Sequence, residues 1–392
     1  MTDPIVMTLK LLLLGQILLS VPVLLMRAKT SIVCLPLSLF LIACALLTTI
    51  PIVSAYFPSG YQYYSALAFP ALFVLCPCLW FYVEAMTAQS NWTFNSQKAR
   101  HFVLLGPAWL ISIMMLILPQ DVHTAIFIDD TEVSEPFAIT LLISLLVIIL
   151  LWLGQCIYTL FLITRRLVSY RIQLKNVFSN HEGKELSWIN WLLFIAISTW
   201  LFSLVTLFYS SLFNNLLYNA RTESFLSFIL IWSMTHFGLQ QKPGFFEYSD
   251  HAFIHASAQN YNEDCPALNP PTKYKRSALD AEQSKRIAKK IHEIMSKDKL
   301  YLDPNLSLQK LSNYTSISPN YISQTLNETL STNFFDFINH WRIEAAKPKI
   351  LANQDTILNI ALEVGFNAKS SFYKAFKQET GKTPSEFRKQ SM

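Results

Sequence analysis

Along the first 240 residues the apolar positions mostly do not alternate with polar ones; they run on almost unbroken. Seven such segments can be marked, at roughly 6–26, 32–54, 65–86, 101–119, 137–163, 189–211 and 222–240, each near the ~20 residues that a helix needs to cross a bilayer core. The clearest is FAITLLISLLVIILLWLGQCIYTLFLI, 27 residues with no charge. A helix apolar on every side has no face to offer to water, so these segments predict membrane spans rather than soluble core helices. The fourth contains Pro107 and the seventh His236. From Gln241 to about Glu282 the periodicity is lost, and Pro243, Pro266, Pro270 and Pro271 appear among Asn and Ser residues. That stretch predicts a flexible linker, of about 35 Å root-mean-square span as a coil. Beyond it a helical period returns, beginning with a basic amphipathic helix from about Ala281 to Lys297.

Two helix-turn-helix units can be placed in the last 110 residues. In the first, LSLQKLSNYT supplies a helix with Leu308 and Leu311 inward, SIS forms the turn, and Ser318 caps a second helix with Pro319 at its first position. That helix turns Ile322, Leu326 and Leu330 toward the core at spacings of four and leaves Asn320, Ser323, Gln324 and Asn327 outward. Asn and Gln amides can make paired hydrogen bonds to adenine in the major groove. In the second unit Thr356 caps ILNIALEV, Gly365 ends it in a left-handed conformation, and Phe366 folds back on the core. The next helix, about Ala368 to Thr380, buries Phe372 and Phe376 and leaves Lys369, Ser370, Tyr373, Lys374 and Lys377 outward. Gly381 ends it, and T-P-S-E at 383–386 is a capping box. FFDFINHWRIEAAKPKIL reads as the connecting helix, which would let the two outward faces enter successive major grooves about 34 Å apart.

Charge sharpens this division. The chain carries 31 Lys and Arg against 26 Asp and Glu. Residues 283–392 hold 16 of the basic and 10 of the acidic residues, so all of the positive surplus sits at the C-terminal end, as a polyanion-binding module requires. Upstream, the short loops after the first, third and fifth spans carry nine basic residues, including Arg27, Lys98 and Arg166, whereas those on the other side carry only Arg221. By the positive-inside bias the N-terminus lies outside and residue 241 onward in the cytoplasm, the side on which bacterial DNA lies. The N-terminal run has no basic stretch before it and no small-residue cleavage site, so it reads as a retained anchor. The six cysteines fall mostly within apolar runs, unlike a secreted disulfide framework.

Residues 283–390 resemble the AraC/XylS-type DNA-binding domain. The resemblance is carried by S-P-N-Y-I-S-Q-T-L-N (318–327), I-A-L-E-V-G-F (360–366), S-F-Y-K-A-F-K (371–377) and G-K-T-P-S-E-F-R (381–388). It implies sequence-specific binding of double-stranded DNA and, usually, activation through RNA polymerase. It also implies that Asn320, Ser323 and Gln324 read bases in one unit and Lys369, Ser370 and Lys374 in the other. The whole chain is similar to a membrane-bound branch of that family in which seven helices replace the soluble sensing domain. One departure is Pro348, late in the connecting helix: an interior proline costs about 3 kcal/mol, so that helix is expected to end near Ala346 or to kink.

The apolar half offers fewer signals. C-P-C at 76–78 resembles the soft-metal motif of copper-pumping ATPases, but no D-K-T-G accompanies it, and Cys76 and Cys78 also read as small apolar side chains at a proline kink. In the linker His251 and His255 stand four apart with Cys265 nearby, without a rigid helix to hold them as metal ligands. Lys10, Glu84 and His236 are the notable polar groups within spans. The last span has no Lys for a retinal Schiff base, and no H-E-x-x-H, G-x-S-x-G or phosphate-cradling loop points to an enzyme. The sequence therefore predicts an all-α chain that is not an enzyme and needs no cofactor. A seven-helix membrane region (1–240) is joined by a linker (241–282) to a tandem helix-turn-helix domain (283–392). Its expected partners are DNA, RNA polymerase, inner-membrane lipid and an unknown signal ligand; whether two copies pair is left open. A transporter or passive anchor carrying the same DNA-binding domain is the alternative.

Overall fold

The computed structural model describes residues 3–29, 31–88, 92–127, 135–180, 185–198, 201, 220–240, 279–353 and 355–389. The linker outside 279–282, with His251, His255 and Cys265, and most of the sixth predicted span lie outside the described residues. The fold is all-α. Among the described residues the only β-type pairing is an isolated antiparallel bridge between Phe178 and Ser307. The chain divides into two compact units, Met1–Leu167 with Leu186–Ser249, and Val168–Glu185 with Asp250–Met392.

The first unit contains α1 (Pro4–Ala28), α2 (Cys34–Tyr56), α3 (Tyr61–Ala68), α4 (Leu72–Met86), α5 (Leu105–Ile117), α6 (Gln120–Phe127), the first part of α7 (Pro136–Val177), α8 (Ser187–Ser198) and α9 (Ala220–Gln240). Five stretches are long and apolar enough to cross a membrane: Pro4–Ala28, Cys34–Tyr56, Pro58–Met86, Lys98–Ile117 and Pro136–Val177. The third is built from short helical pieces, broken at Pro58 and Pro70. Helix α9 has the length, but it carries Arg221, Glu223 and His236 and is not among the five. Helix α7 runs 42 residues, about 63 Å at 1.5 Å per residue, well past the end expected at residue 163.

Apolar side chains in this unit face outward as well as inward. On α7, Leu141, Leu145 and Ile148 are buried, while Leu142, Leu146 and Leu150 are exposed. Both faces are apolar, and helices α1, α2 and α5 repeat the pattern. Polar ties set the register instead. Trp152 Nε1 donates to Leu72 O at 3.1 Å, Cys76 Sγ lies 3.1 Å from Cys156 Sγ, and Arg166 Nε donates to Thr87 Oγ1 at 2.9 Å. Because these contacts keep a nearly constant offset along the chain, α4 and α7 run parallel. Arg27 donates to Leu239 O at one end of the α1–α9 pair and Arg221 pairs with Asp3 at the other, so these two are parallel as well.

The polar groups singled out in the spans have structural settings. Glu84 accepts from Trp92 Nε1 at 2.9 Å and pairs with Lys98 at 3.2 Å, whose ammonium sits 4.4 Å from the Trp92 ring centroid. Lys10 is half-buried on α1. His236 is exposed and stacks on Trp232 with ring centroids 5.3 Å apart. The buried histidine among the described residues is His123, on α6, between Tyr61 and Phe127.

The second unit contains residues 168–180 and, further along, α10 (Ala281–Lys297), α11 (Leu308–Thr315), α12 (Pro319–Gln324), α13 (Phe334–Ala352), α14 (Ile357–Glu363), α15 (Lys369–Thr380) and α16 (Pro384–Lys389). It has two cores. One gathers Ile291, Leu311, Ile322, Leu326, Phe334 and Ile338; the other gathers Ile343, Ala346, Ile350, Ile360, Phe372 and Phe376. Helix α13 contributes to both. Of the two outcomes expected at Pro348, an end near Ala346 or a kink, the first does not occur: the helix continues through Pro348 to Ala352, and its C-cap is Asn353 in the left-handed region. Burial of Ala346 and Ile350 on either side of the proline holds the last turn in place despite the lost hydrogen bond.

Arg342, 1% exposed, stands between the two cores. Its Nε donates to Tyr301 O at 2.8 Å, and its terminal nitrogens donate to Asp303 O at 2.8 Å, Ser179 O at 3.3 Å and Ser179 Oγ at 3.2 Å. Burial lowers its pKa to about 10, opposed by the Asp303 charge, so it stays cationic at neutral pH. Gly365, at φ +95°, packs against this group; a Cβ there would lie 2.6 Å from Tyr301 O, 2.9 Å from Leu302 O and 3.1 Å from Arg342 Nε.

Two predictions follow from these packings. Gly365→Ala combines left-handed backbone strain with collision against two carbonyls, and is expected to destabilise a 279–392 fragment by about 3 kcal/mol or more in chemical denaturation. Ser65 donates its proton to Gln62 O at 3.0 Å, so it accepts from His123 Nε2, 3.4 Å away, and Nδ1 is left as a buried acceptor without a partner among the described residues. Burial holds the His123 pKa below 6.5. Its contribution to stability is therefore complete above the unfolded pKa of about 6.5 and is lost as the pH falls through the lower folded value. Thermal melting of the full chain in nanodiscs should drop between pH 7.5 and 5, and His123→Asn should flatten part of that drop.

Candidate nucleic-acid interface

The first unit of the tandem is capped as its residues dictate. Ser307 caps α11 by accepting from Lys310 N, and Ser318 caps α12 by accepting from Tyr321 N. Past Gln324 the helix widens into a π turn over Thr325–Thr329, in which Leu330 N reaches back to Thr325 O. Ser284 of α10 bonds the Thr325 and Thr329 hydroxyls across that turn, which fixes the irregularity in place. Such bulges recur at functional sites.

On this segment Asn320 and Asn327 are exposed, while Ser323 and Gln324 are half-buried. The amides are engaged along the helix: Gln324 Nε2 donates to Glu328 at 2.9 Å, and Asn327 Nδ2 donates to Ser323 O at 2.9 Å and to its Oγ at 3.3 Å. The groups expected to read bases are thus brought together on one surface. Glu328, which the outward-face pattern passed over, shares it.

The second unit repeats the logic with basic residues. Thr356 caps α14 by accepting from Asn359 N at 3.1 Å, and Phe366 N returns to Ala361 O at 3.0 Å. Gly381, at φ +75°, ends α15. Thr383 and Glu386 complete a reciprocal capping box: Thr383 N donates to Glu386 at 2.8 Å and Glu386 N to Thr383 Oγ1 at 3.3 Å. The bond from the Thr383 backbone holds the Glu386 carboxyl below the usual range. Lys369, Ser370, Lys374 and Lys377 are exposed along α15. Tyr373 is not outward as expected. It is half-buried against the second core, its hydroxyl 3.1 Å from Ser385 Oγ on α16, and its ring centroid 5.3 Å from the Lys369 ammonium. It braces Lys369 rather than competing with it for the surface.

Residues 311–390 match the family model of a helix-turn-helix domain. The C-terminal region is an AraC-type helix-turn-helix domain. Over 99 residues, a quarter of this chain, it is 35% identical to an uncharacterized HTH-type transcriptional regulator of Staphylococcus aureus (strain COL), of whose length the match covers 13%. Over 74 residues, 19% of this chain and 26% of the relative, it is 34% identical to YijO of Escherichia coli (strain K12), a protein of the same description. A Listeria innocua protein of unknown function aligns with 26% of this chain and 96% of its own, at 28% identity and a TM-score of 0.25. The chain thus spans about an eighth to a quarter of the length of these curated relatives, both described as HTH-type transcriptional regulators.

For metals, the one grouping of three ligand-type side chains among the described residues is His340, Glu344 and Glu379, all exposed. His340 Nδ1 lies 2.6 Å from Glu379, and Lys347 pairs with Glu344, as surface ion pairs do. Cys76 and Cys78 do not face a common point: Cys76 meets Cys156 across α4 and α7, and Cys78 is buried.

Two features of the second unit escaped the sequence reading. Arg342 was one of three cations in the connecting helix, with Lys347 and Lys349, and its apolar neighbours Trp341 and Ile343 were the available signal. Residues 168–180 were counted with a loop, whereas Ser179 N donates to Leu306 O at 3.1 Å, its hydroxyl donates to the same oxygen at 2.5 Å, and its carbonyl accepts from Arg342. A 279–392 fragment lacks this segment. A peptide of residues 168–180 added in trans should therefore raise its melting temperature, and the same peptide with Ser179 changed to Ala should do so less.

Proposed function

We propose that this chain is a multi-pass protein of the bacterial inner (cytoplasmic) membrane that binds specific double-stranded DNA and regulates transcription in response to a signal at the membrane. In this reading 1–240 is the sensor, 241–282 a cytoplasmic linker and 283–392 the DNA-binding domain. The observation that carries it is the coexistence, in one chain, of helices apolar on both inward and outward faces with a tandem helix-turn-helix domain. Exposed apolar surface of this extent is costly in water and neutral in lipid.

The orientation has two supports. Basic residues concentrate in alternate loops, and the parallel pairs α1–α9 and α4–α7 are those that an alternating topology requires of odd-numbered spans. Arg27 and Arg166 mark the ends of those pairs where the helices finish. A cytoplasmic side there puts the C-terminal domain next to DNA. Residues 168–185, which follow the fifth span directly, belong to the DNA-binding unit, and this gives a signal a short covalent route.

On the DNA, Asn320, Ser323, Gln324 and Asn327 would read one major groove and Lys369, Ser370, Lys374 and Lys377 the next, with Tyr373 supporting Lys369. The family habit of contacting RNA polymerase makes activation the expected sense of regulation. Crosslinking the full-length protein in cells and sequencing the captured DNA should give discrete sites, which Lys369→Ala with Lys374→Ala should erase. In vitro each lysine removed should lower the slope of log affinity against log salt by about 0.9, whereas Asn320→Ala should relax base preference at one position by about 1–3 kcal/mol. Sites that persist unchanged in the double variant would sink the assignment of α15.

A further inference from the structure

We infer that the first unit contains a binding site for an acyl-chain molecule whose carbonyl oxygen is held by Tyr82 and Trp188. A cavity of about 430 Å³ opens among α2, α4, α7, α8 and α9, a volume within the range of small-molecule sites. Its wall is almost wholly apolar, built from side chains such as Phe40, Leu75, Trp152 and Leu192. It reaches along α9 from Glu223 to Met234, about 16 Å of helix rise. That shape fits a long chain better than a compact ring.

Two polar atoms in the wall argue that the cavity is more than a packing gap. The Tyr82 hydroxyl and the Trp188 indole N–H are both buried, 2% and 8% exposed as residues, and neither has a hydrogen-bond partner among the described residues. Buried donors are normally satisfied, and leaving one unpaired costs as much as losing a hydrogen bond. The two rings are neighbours, 6.3 Å between centroids, toward the C-terminal ends of α4 and α9; a Cβ on Gly238 would come 3.6 Å from the Tyr82 oxygen. Indole can only donate. A ligand that satisfies both must therefore bring an acceptor oxygen to this end and an apolar body to the rest. A fatty acid and the ester-linked chain of a phospholipid share that chemistry.

The test uses full-length protein, delipidated in maltoside micelles and titrated with cis-parinaric acid, whose emission is excited by transfer from Trp152 and Trp188. Saturable transfer is expected, weakened about tenfold by Tyr82→Phe, which removes one oxygen and leaves the packing alone. Ile231→Phe, which narrows the cavity without adding a transfer donor, should weaken it as well. Displacement by oleic acid alone assigns the site to a free acid; displacement by phosphatidylcholine assigns it to a bilayer lipid. Binding that is non-saturable, or indifferent to Tyr82→Phe, would overturn the site. That occupancy governs transcription rests on the function proposed above. Binding itself does not, so a protein that binds the probe but captures no DNA would refute that reading and leave the site standing.

Discussion

The second unit depends on one buried cation. Arg342 lies at the point where α13 passes from the first core to the second, and it meets no carboxylate directly. Its charge is solvated by protein oxygens: the carbonyls of Tyr301, Asp303 and Ser179 and the Ser179 hydroxyl. A guanidinium has five donors in a rigid fork, so it can bind several chain segments at once where an ammonium would act as a point charge. Moving such a group out of water is expensive, and removing any of its acceptors leaves part of that cost unmet. The loop before α11, the connecting helix and residue 179 are therefore mutually dependent. Gly365 belongs to the same constraint, because only a residue without a Cβ leaves room for the Tyr301 and Leu302 carbonyls beside Arg342.

This joint sets what the DNA-facing helices can do. Helix α12 is anchored to the first core through Ile322, and α15 to the second through Phe372 and Phe376. The angle between the two cores is governed by α13 and by the Arg342 contacts that brace it. Phe366 strengthens the link, since it packs on Phe372 at 5.2 Å and its ring also lies 5.4 Å from the Arg342 guanidinium. The proline at 348 falls beyond the joint, in a turn already buried against the second core. Helix α13 can lose one backbone hydrogen bond there without releasing the geometry between the units.

The parts legible in the sequence were those governed by local rules. Caps at Ser318, Thr356 and Thr383 and left-handed glycines at 365 and 381 each follow from one or two residues, and the structure has them where those residues stand. The apolar runs were equally plain as helices, since an unbroken apolar run of about 20 residues satisfies its own backbone polar groups only as a helix. What could not be read were consequences of contacts distant in the chain. The length of α7 beyond residue 163 depends on where residues 168–180 pack. The inward turn of Tyr373 depends on Ser385, and the π turn after Gln324 depends on Ser284, 41 residues upstream of Thr325. His236 was judged by its place in a hydrophobic run, and its exposed stacking on Trp232 shows that a span's position does not fix which face a side chain takes.

The placement of Ser179 bears most directly on how such a chain could regulate anything. A DNA-binding domain complete in itself would be indifferent to the apolar N-terminal half and would need only a tether. Here two of the four acceptors of the buried arginine come from a residue that precedes the domain by more than a hundred positions and follows directly on the longest apolar helix. The Phe178–Ser307 bridge and the Ser179–Leu306 bonds extend that attachment to the segment leading into α11. Integrity of the joint between the two helix-turn-helix units is thus linked, through backbone hydrogen bonds, to the chain that leaves the C-terminal end of α7. A change in the conformation of that short stretch need not travel through a packed protein interior to matter. It would alter the number of oxygens facing Arg342, and an arginine short of acceptors in a dry site is a strong reason for the surrounding segments to rearrange.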